Sequence, residues 1–177
     1  MAILDILKYP DPRLKKLSEP VNEVDDRVQR LLTDMAETMY AAPGIGLAAP
    51  QVGVNERLIV IDLGNDEAED GTPIPGRLYK IANPEIIHAE GEAEYEEGCL
   101  SIPSIKDVVT RAEQVVVRGL DEKSKQIEIA ADGLLAICLQ HEIDHLDGIL
   151  FIDRLSTIKR NLIKAKLAKR LGSDKKK

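Results

Sequence analysis

The chain has 177 residues, 44% of them hydrophobic and 31% charged, which suits one globular domain with a sizeable core. Its formal charge of −7 argues against a body built to bind nucleic acid. The charge is uneven: nine Lys or Arg against Asp174 alone give residues 156–177 a net +8 and leave −15 for residues 1–155. The stretch Met1 to Lys8 lacks the basic flank and long apolar run of a secretory signal, and no later apolar run nears the ~20 residues that span a bilayer, so a cytoplasmic protein is expected. In that reducing compartment Cys99 and Cys138 are read as free thiols, with no disulfide.

In chain order, Tyr9-Pro10-Asp11-Pro12 reads as a rigid loop, because each proline fixes its own backbone and restricts its predecessor. From about Asp25 to Ala41, Val28, Leu31, Leu32, Met35 and Met39 fall on one helical stripe, predicting an amphipathic helix that Pro43-Gly44-Ile45-Gly46 then breaks. Arg57 to Leu63, Tyr79 to Ala82 and Gln114 to Leu120 are apolar and β-branched enough for strands, and Gln126 to Ala130 can pair with the last across the turn at 121–125. The acidic, Gly- and Pro-bearing segment from Gly64 to Gly76 is expected to be a mobile surface loop. A helix over about Asp132 to Asp147 has Asp132 to cap it and Gly148 to follow it. Ser156 can cap a last helix with Ile158, Leu162, Ala165 and Leu171 along its apolar edge, and residues 172–177 read as a disordered basic tail beyond a single domain over 1–171.

The chemistry lies in His141-Glu142-Ile143-Asp144-His145. On a helix, positions i and i+4 share a face, so both imidazoles can reach one divalent ion, while Glu142 sits about 100° further round, near a water on that ion. Helical histidines often only pack, but two of the three histidines of the chain occupy these slots, and His88 reads as an ordinary surface residue. Leu134, Cys138, His141 and His145 recur at helical offsets, so the histidine face points inward. Catalytic zinc-type sites use three protein ligands and keep one position open. Cys99 is the best third donor, since Gly98 before it permits a close backbone approach. Cys138 could also approach the site, although its apolar helical setting favours packing.

Three stretches, Gly44-Ile45-Gly46-Leu47-Ala48-Ala49-Pro50-Gln51, Glu97-Gly98-Cys99-Leu100-Ser101 and Gln140-His141-Glu142-Ile143-Asp144-His145, together resemble the signature motifs of the peptide deformylases, in their order and separation. The resemblance covers nearly the whole chain and is closest to the bacterial type. It implies an α+β fold: antiparallel strands packed around a central metal-binding helix, with an additional N-terminal amphipathic helix and a C-terminal helix. It implies a metal held by Cys99, His141 and His145, Glu142 as acid and base, and an oxyanion stabilised by Gln51 and the main-chain N–H of Leu100. It further implies that a methionine side chain enters a pocket bordered by Ile45, Gly46, Glu97, Leu134, Ile137 and Cys138. The implied reaction removes formate from the N-formylmethionine that begins a new bacterial polypeptide. Fe(2+) is the implied physiological ion, and Zn(2+), Ni(2+) or Co(2+) can occupy the same donors. The implied partners are nascent formylmethionyl peptides and, through the basic C-terminal helix, the ribosome; no membrane contact is expected, and the protein is expected to be a monomer.

Two other readings compete. An HExxH endopeptidase of another family would take its third ligand downstream of His145, where no His or Cys follows and only a carboxylate such as Asp153 is at hand. A structural metal site in a ribosome-binding module would want a fourth protein ligand and no Glu142.

Overall fold

In the computed structural model of the protein, which describes residues 2–64, 66–67, 73–74 and 76–175, helix α1 (Asp26–Ala41) begins where the Asp25 carboxylate accepts from the Val28 N–H at 2.8 Å. It buries Val28, Leu32, Met35, Ala36 and Met39. Past the break at Pro43-Gly44, strand β1 (Gly46–Ala48) pairs antiparallel with β2 (Leu58–Ile61). Every side chain of β2 is fully buried, and alternation sends Leu58 and Val60 into the cluster around α1 while Ile59 and Ile61 enter the cluster on the opposite face. A run apolar on both faces is what a strand covered on two sides requires.

A two-residue ribbon joins β3 (Asp66–Glu67) to β4 (Pro73–Ile74); most of the segment expected to be a mobile loop lies outside the described residues. Strand β5 (Tyr79–Glu90) runs eight residues past the expected Ala82, pairing with β2 over Tyr79 to Ala82 and, from Ala82 onward and with two register shifts, with β8. The ribbon β6 (Ala93–Cys99) with β7 (Ile102–Arg111) stands apart and was not expected from the sequence. Its one fully turned-in side chain on β6 is Glu97, a charged residue, so no apolar alternation marks that strand. The hairpin of β8 (Gln114–Leu120) and β9 (Gln126–Asp132) closes as expected at 121–125, where Asp121 accepts from the N–H groups of Lys123 and Lys125. The five-stranded sheet has the order β1-β2-β5-β8-β9, with all pairs antiparallel.

Helix α2 (Gly133–Leu146) packs on the face of the sheet opposite α1, through Ala136, Cys138, Leu139, Ile143 and Leu146. Ten of its residues are buried, so it is enclosed nearly all round rather than along one stripe. Asp132 stands at its N-cap, but its side chain makes no capping bond. Gly148, at φ +72°, closes its far end against the Lys15 carbonyl, where a Cβ would overlap.

A third cluster gathers Leu14, Ile102, Ile105, Val109, Phe151, Ile152, Leu155 and Leu167, locking the β6–β7 ribbon to the turn at Phe151–Arg154 and to α3 (Thr157–Asp174). Ser156 caps α3. The expected apolar edge is corrected: Ile158 is 75% and Leu162 67% exposed, and Leu167 with Ile163 makes the contact instead. The third cluster lies on the Ile163 and Leu167 side, and helical spacing turns Ile158 and Leu162 off that side. Helical bonding in α3 runs on to Asp174, and Ser173 Oγ donates to the Lys169 carbonyl at 3.1 Å. No described helix is long and apolar enough to cross a membrane.

Candidate active site

Three elements converge on one point. Helix α2 supplies His141, Glu142 and His145, the end of β6 supplies Cys99, and the turn after β1 supplies Gln51. The Cys99 sulfur lies 3.4 Å from His145 Nε2, and the two Nε2 atoms are 3.3 Å apart. With metal bonds of about 2.0–2.3 Å, a tetrahedral ion spaces its ligand atoms by about 3.3–3.6 Å. These two separations match edges of such a tetrahedron, all three ligand atoms lie within 4.8 Å of one another, and the trio is the metal-capable cluster among the described residues. Cys138, the alternative sulfur, is not a member; burial pushes its thiol up to about 12, leaving a neutral packing group. His88 lies exposed on β5 beside Glu90.

A buried chain of charges holds the ligands. The Nδ1–H of His141 donates to Glu97 Oε1 at 2.8 Å, which frees Nε2 for the ion. Glu97 in turn accepts from Arg111 Nε at 2.5 Å and Nη2 at 2.9 Å, and Arg111 Nη1 donates to Asp144 at 2.9 Å. Asp144 also accepts from Arg154 Nε and Nη2. Burial works against charge on Glu97, but His141 and Arg111 outweigh it and hold the carboxyl below the usual range. Phe151 stacks against the His141 ring at 6.2 Å between centroids. Sequence reasoning had Glu97 only at the pocket border and missed Arg111, Asp144 and Arg154. A signal existed for Arg111, which shares the buried side of β7 with Ile102, Ile105 and Val109, and for Asp144 within the mostly buried α2, but none for Glu97 in a strand without apolar alternation or for the exposed Arg154.

Burial and the neighbouring His141 keep His145 well below the usual histidine range, in the neutral form that binds metal. Glu142 is buried, and burial lifts its carboxyl to about 7 against the opposing pull of His141 and Arg111. Its Oε2 has no hydrogen-bond partner among the described residues and the side chain lines a cleft of about 890 Å³. A carboxyl so poised can accept and return a proton near neutral pH. Gln51 is oriented by its Oε1, which accepts from the Ala48 N–H at 2.9 Å; its Nε2 donates to Ser101 Oγ at 3.1 Å and faces Cys99 Sγ at 3.6 Å. Gly46 passes so close to Glu142 that a Cβ would collide with Oε1. Leu100, Ile45, Gly46, Glu97, Leu134, Ile137 and Cys138 all line this same cleft.

The profile of the polypeptide deformylase family matches residues 3–161. The peptide deformylase of Neisseria meningitidis serogroup B is 54% identical over 96% of this chain and 97% of its own length. Among solved structures, a peptide deformylase from Legionella pneumophila superposes with a TM-score of 0.86 at 49% identity, covering 99% of both chains. That from Ehrlichia chaffeensis in complex with actinonin does so with 0.87 at 42% identity, covering 96% of this chain and 98% of the other. A Cys-His-His cluster on a buried HExxH helix, family-wide sequence identity and a shared fold agree: the chain belongs to the peptide deformylase family.

Proposed function

We propose that this chain is a peptide deformylase in activity as well as descent: a hydrolase that removes the formyl group from the N-terminal formylmethionine of newly synthesised polypeptides and releases formate. The observation that carries this reading is the convergence of Cys99 and the two histidines beside an open cleft, His145 Nε2 lying 3.4 Å from the sulfur and 3.3 Å from His141 Nε2, with the free oxygen of Glu142 lining the same cleft. A structural zinc site would use four protein ligands, and the cluster among the described residues has three.

A divalent ion in that cluster, Fe(2+) in the cell by this reading and Zn(2+), Ni(2+) or Co(2+) by substitution, supplies Lewis acidity to the formyl carbonyl and to the attacking water. Glu142 takes the proton of the water and passes it to the departing amine. Gln51 Nε2 and the Leu100 N–H donate to the oxygen on which negative charge grows, which a thiolate-ligated and less acidic ion leaves in need of help. Ile45, Gly46, Leu134, Ile137 and Cys138 border the methionine side chain; Glu97 borders it too, but its carboxylate serves His141 and Arg111. The catalytic domain spans 1–171 and works as a monomer in the cytoplasm, and the basic face of α3 contacts ribosomal RNA phosphates, an attraction that weakens with salt.

The test is formate release from a formyl-Met peptide by the wild type and by Glu142→Ala, each shown to hold one metal ion. A deformylase loses turnover with Glu142, an endopeptidase cuts internal bonds, and a structural site gives no turnover that depends on the glutamate. Binding of actinonin, present in the Ehrlichia relative, is a second check on the cleft.

A further inference from the structure

Residues 7–9 cross directly over the two loops that carry the proposed oxyanion donors. The Leu7 N–H donates to the Gln51 carbonyl at 2.7 Å, the Tyr9 N–H donates to the Ser101 carbonyl at 2.8 Å, and between them Lys8 Nζ donates to the Leu100 carbonyl at 2.7 Å. Leu7 and Tyr9 pack on the third core cluster, while Lys8 lines the cleft. The segment is tied down on both sides. Upstream, the Leu4 N–H donates to Thr38 Oγ1 on α1 at 2.9 Å; downstream, Leu14 is buried and the Ser18 N–H donates to the Leu146 carbonyl at the end of α2 at 2.8 Å.

We propose that Lys8 is a positioning residue for deformylation, whose ammonium pins the Leu100 carbonyl and thereby aims the Leu100 N–H at the oxyanion. The inference rests on the proposed donor role of Leu100 and Gln51. The donor peptide joins Cys99 to Leu100, so its N–H direction is set by what holds each side. On one side is the sulfur that faces the histidines; on the other is the carbonyl held by Lys8, followed by the Ser101 carbonyl held by Tyr9. The Leu100 side chain adds a third restraint by lying against the backbone of Gly44, where no Cβ fits. Donors act on a growing charge only if they are already aimed, and a support displaced by about 1 Å can cost orders of magnitude in rate.

The experiment compares Lys8→Met, which keeps the aliphatic stem, with Lys8→Arg, which keeps a cationic donor, using metal-loaded full-length enzyme and a formyl-Met peptide. Lys8→Met is expected to lower kcat by about 10-fold with KM, metal content and Tm unchanged, and Lys8→Arg to recover most of the loss. Wild-type kcat in Lys8→Met overturns the proposal, as does a loss of kcat that tracks a loss of metal or Tm, because that is the mark of a merely structural strap. Gln51→Ala separates the two levels. If it loses about 10²- to 10³-fold while Lys8→Met is unaffected, only the Lys8 assignment falls; if both variants keep wild-type kcat, the oxyanion reading falls with it.

Discussion

Glu97 Oε1 sits 2.8 Å from His141 Nδ1, and the same carboxylate is gripped by Arg111 through two further bonds. The carboxylate can only accept, so it fixes the proton of His141 on Nδ1 and presents a lone pair at Nε2. Glu97→Gln keeps the shape but removes the charge and puts an amide where three donors point. Metal affinity is expected to weaken by about 10- to 100-fold, measured by competition with a chelator. An unchanged dissociation constant would show that Glu97 does not tune the ligand.

Arg111 answers two buried carboxylates, those of Glu97 and Asp144. Arg111→Met leaves them partly unpaired out of reach of water, and breaking such a pair costs about 3–5 kcal/mol. The matched control is Arg154→Met, whose side chain is 46% exposed and whose loss leaves Asp144 still paired with Arg111. Its expected cost is roughly 0–1 kcal/mol. Urea unfolding of both variants gives the comparison, and equal losses would refute the buried-network account.

Gly46 and Glu142 share a space that admits no methyl group. Gly46→Ala therefore displaces the Glu142 carboxylate from its place beside the cleft while β1 still pairs with β2. Turnover is expected to fall at least about 10²-fold, the usual contribution of a positioned acid or base, with one metal ion retained per chain. Turnover near wild type would mean that Glu142 tolerates displacement and is not the proton carrier.

Metal removal is expected to separate the two thiols. Burial holds Cys138 at about 12, so almost no thiolate forms there at pH 8, whereas half-buried Cys99 opens to the cleft. Iodoacetamide should label Cys99 in the chelator-treated protein and be slowed by added metal, with Cys138 unlabelled throughout the native state. Peptide mapping by mass spectrometry reads both sites. Labelling of Cys138 at the rate of Cys99 would contradict its buried, neutral state.

Local order was legible in the chain itself. The 3- and 4-residue spacing of Val28, Leu32, Met35 and Met39 sets helix α1, the turn residues at 121–125 set the β8–β9 hairpin, and the four-residue spacing of His141 and His145 puts both rings on one side of α2. Each depends on neighbours close in sequence, so its cause is written locally. What the tertiary structure alone decided lies between distant segments. It brings Cys99 to His145 across 46 residues and links Glu97 through Arg111 to Asp144. It also turns α3 so that Leu167 rather than Leu162 meets the core. The β6–β7 ribbon carries no apolar alternation on β6 because its key inward residue there is a carboxylate, stable only once Arg111 from the paired strand and His141 from α2 surround it. A buried charge has no local periodicity to announce it; its partners, supplied by the fold, are the reason it can exist.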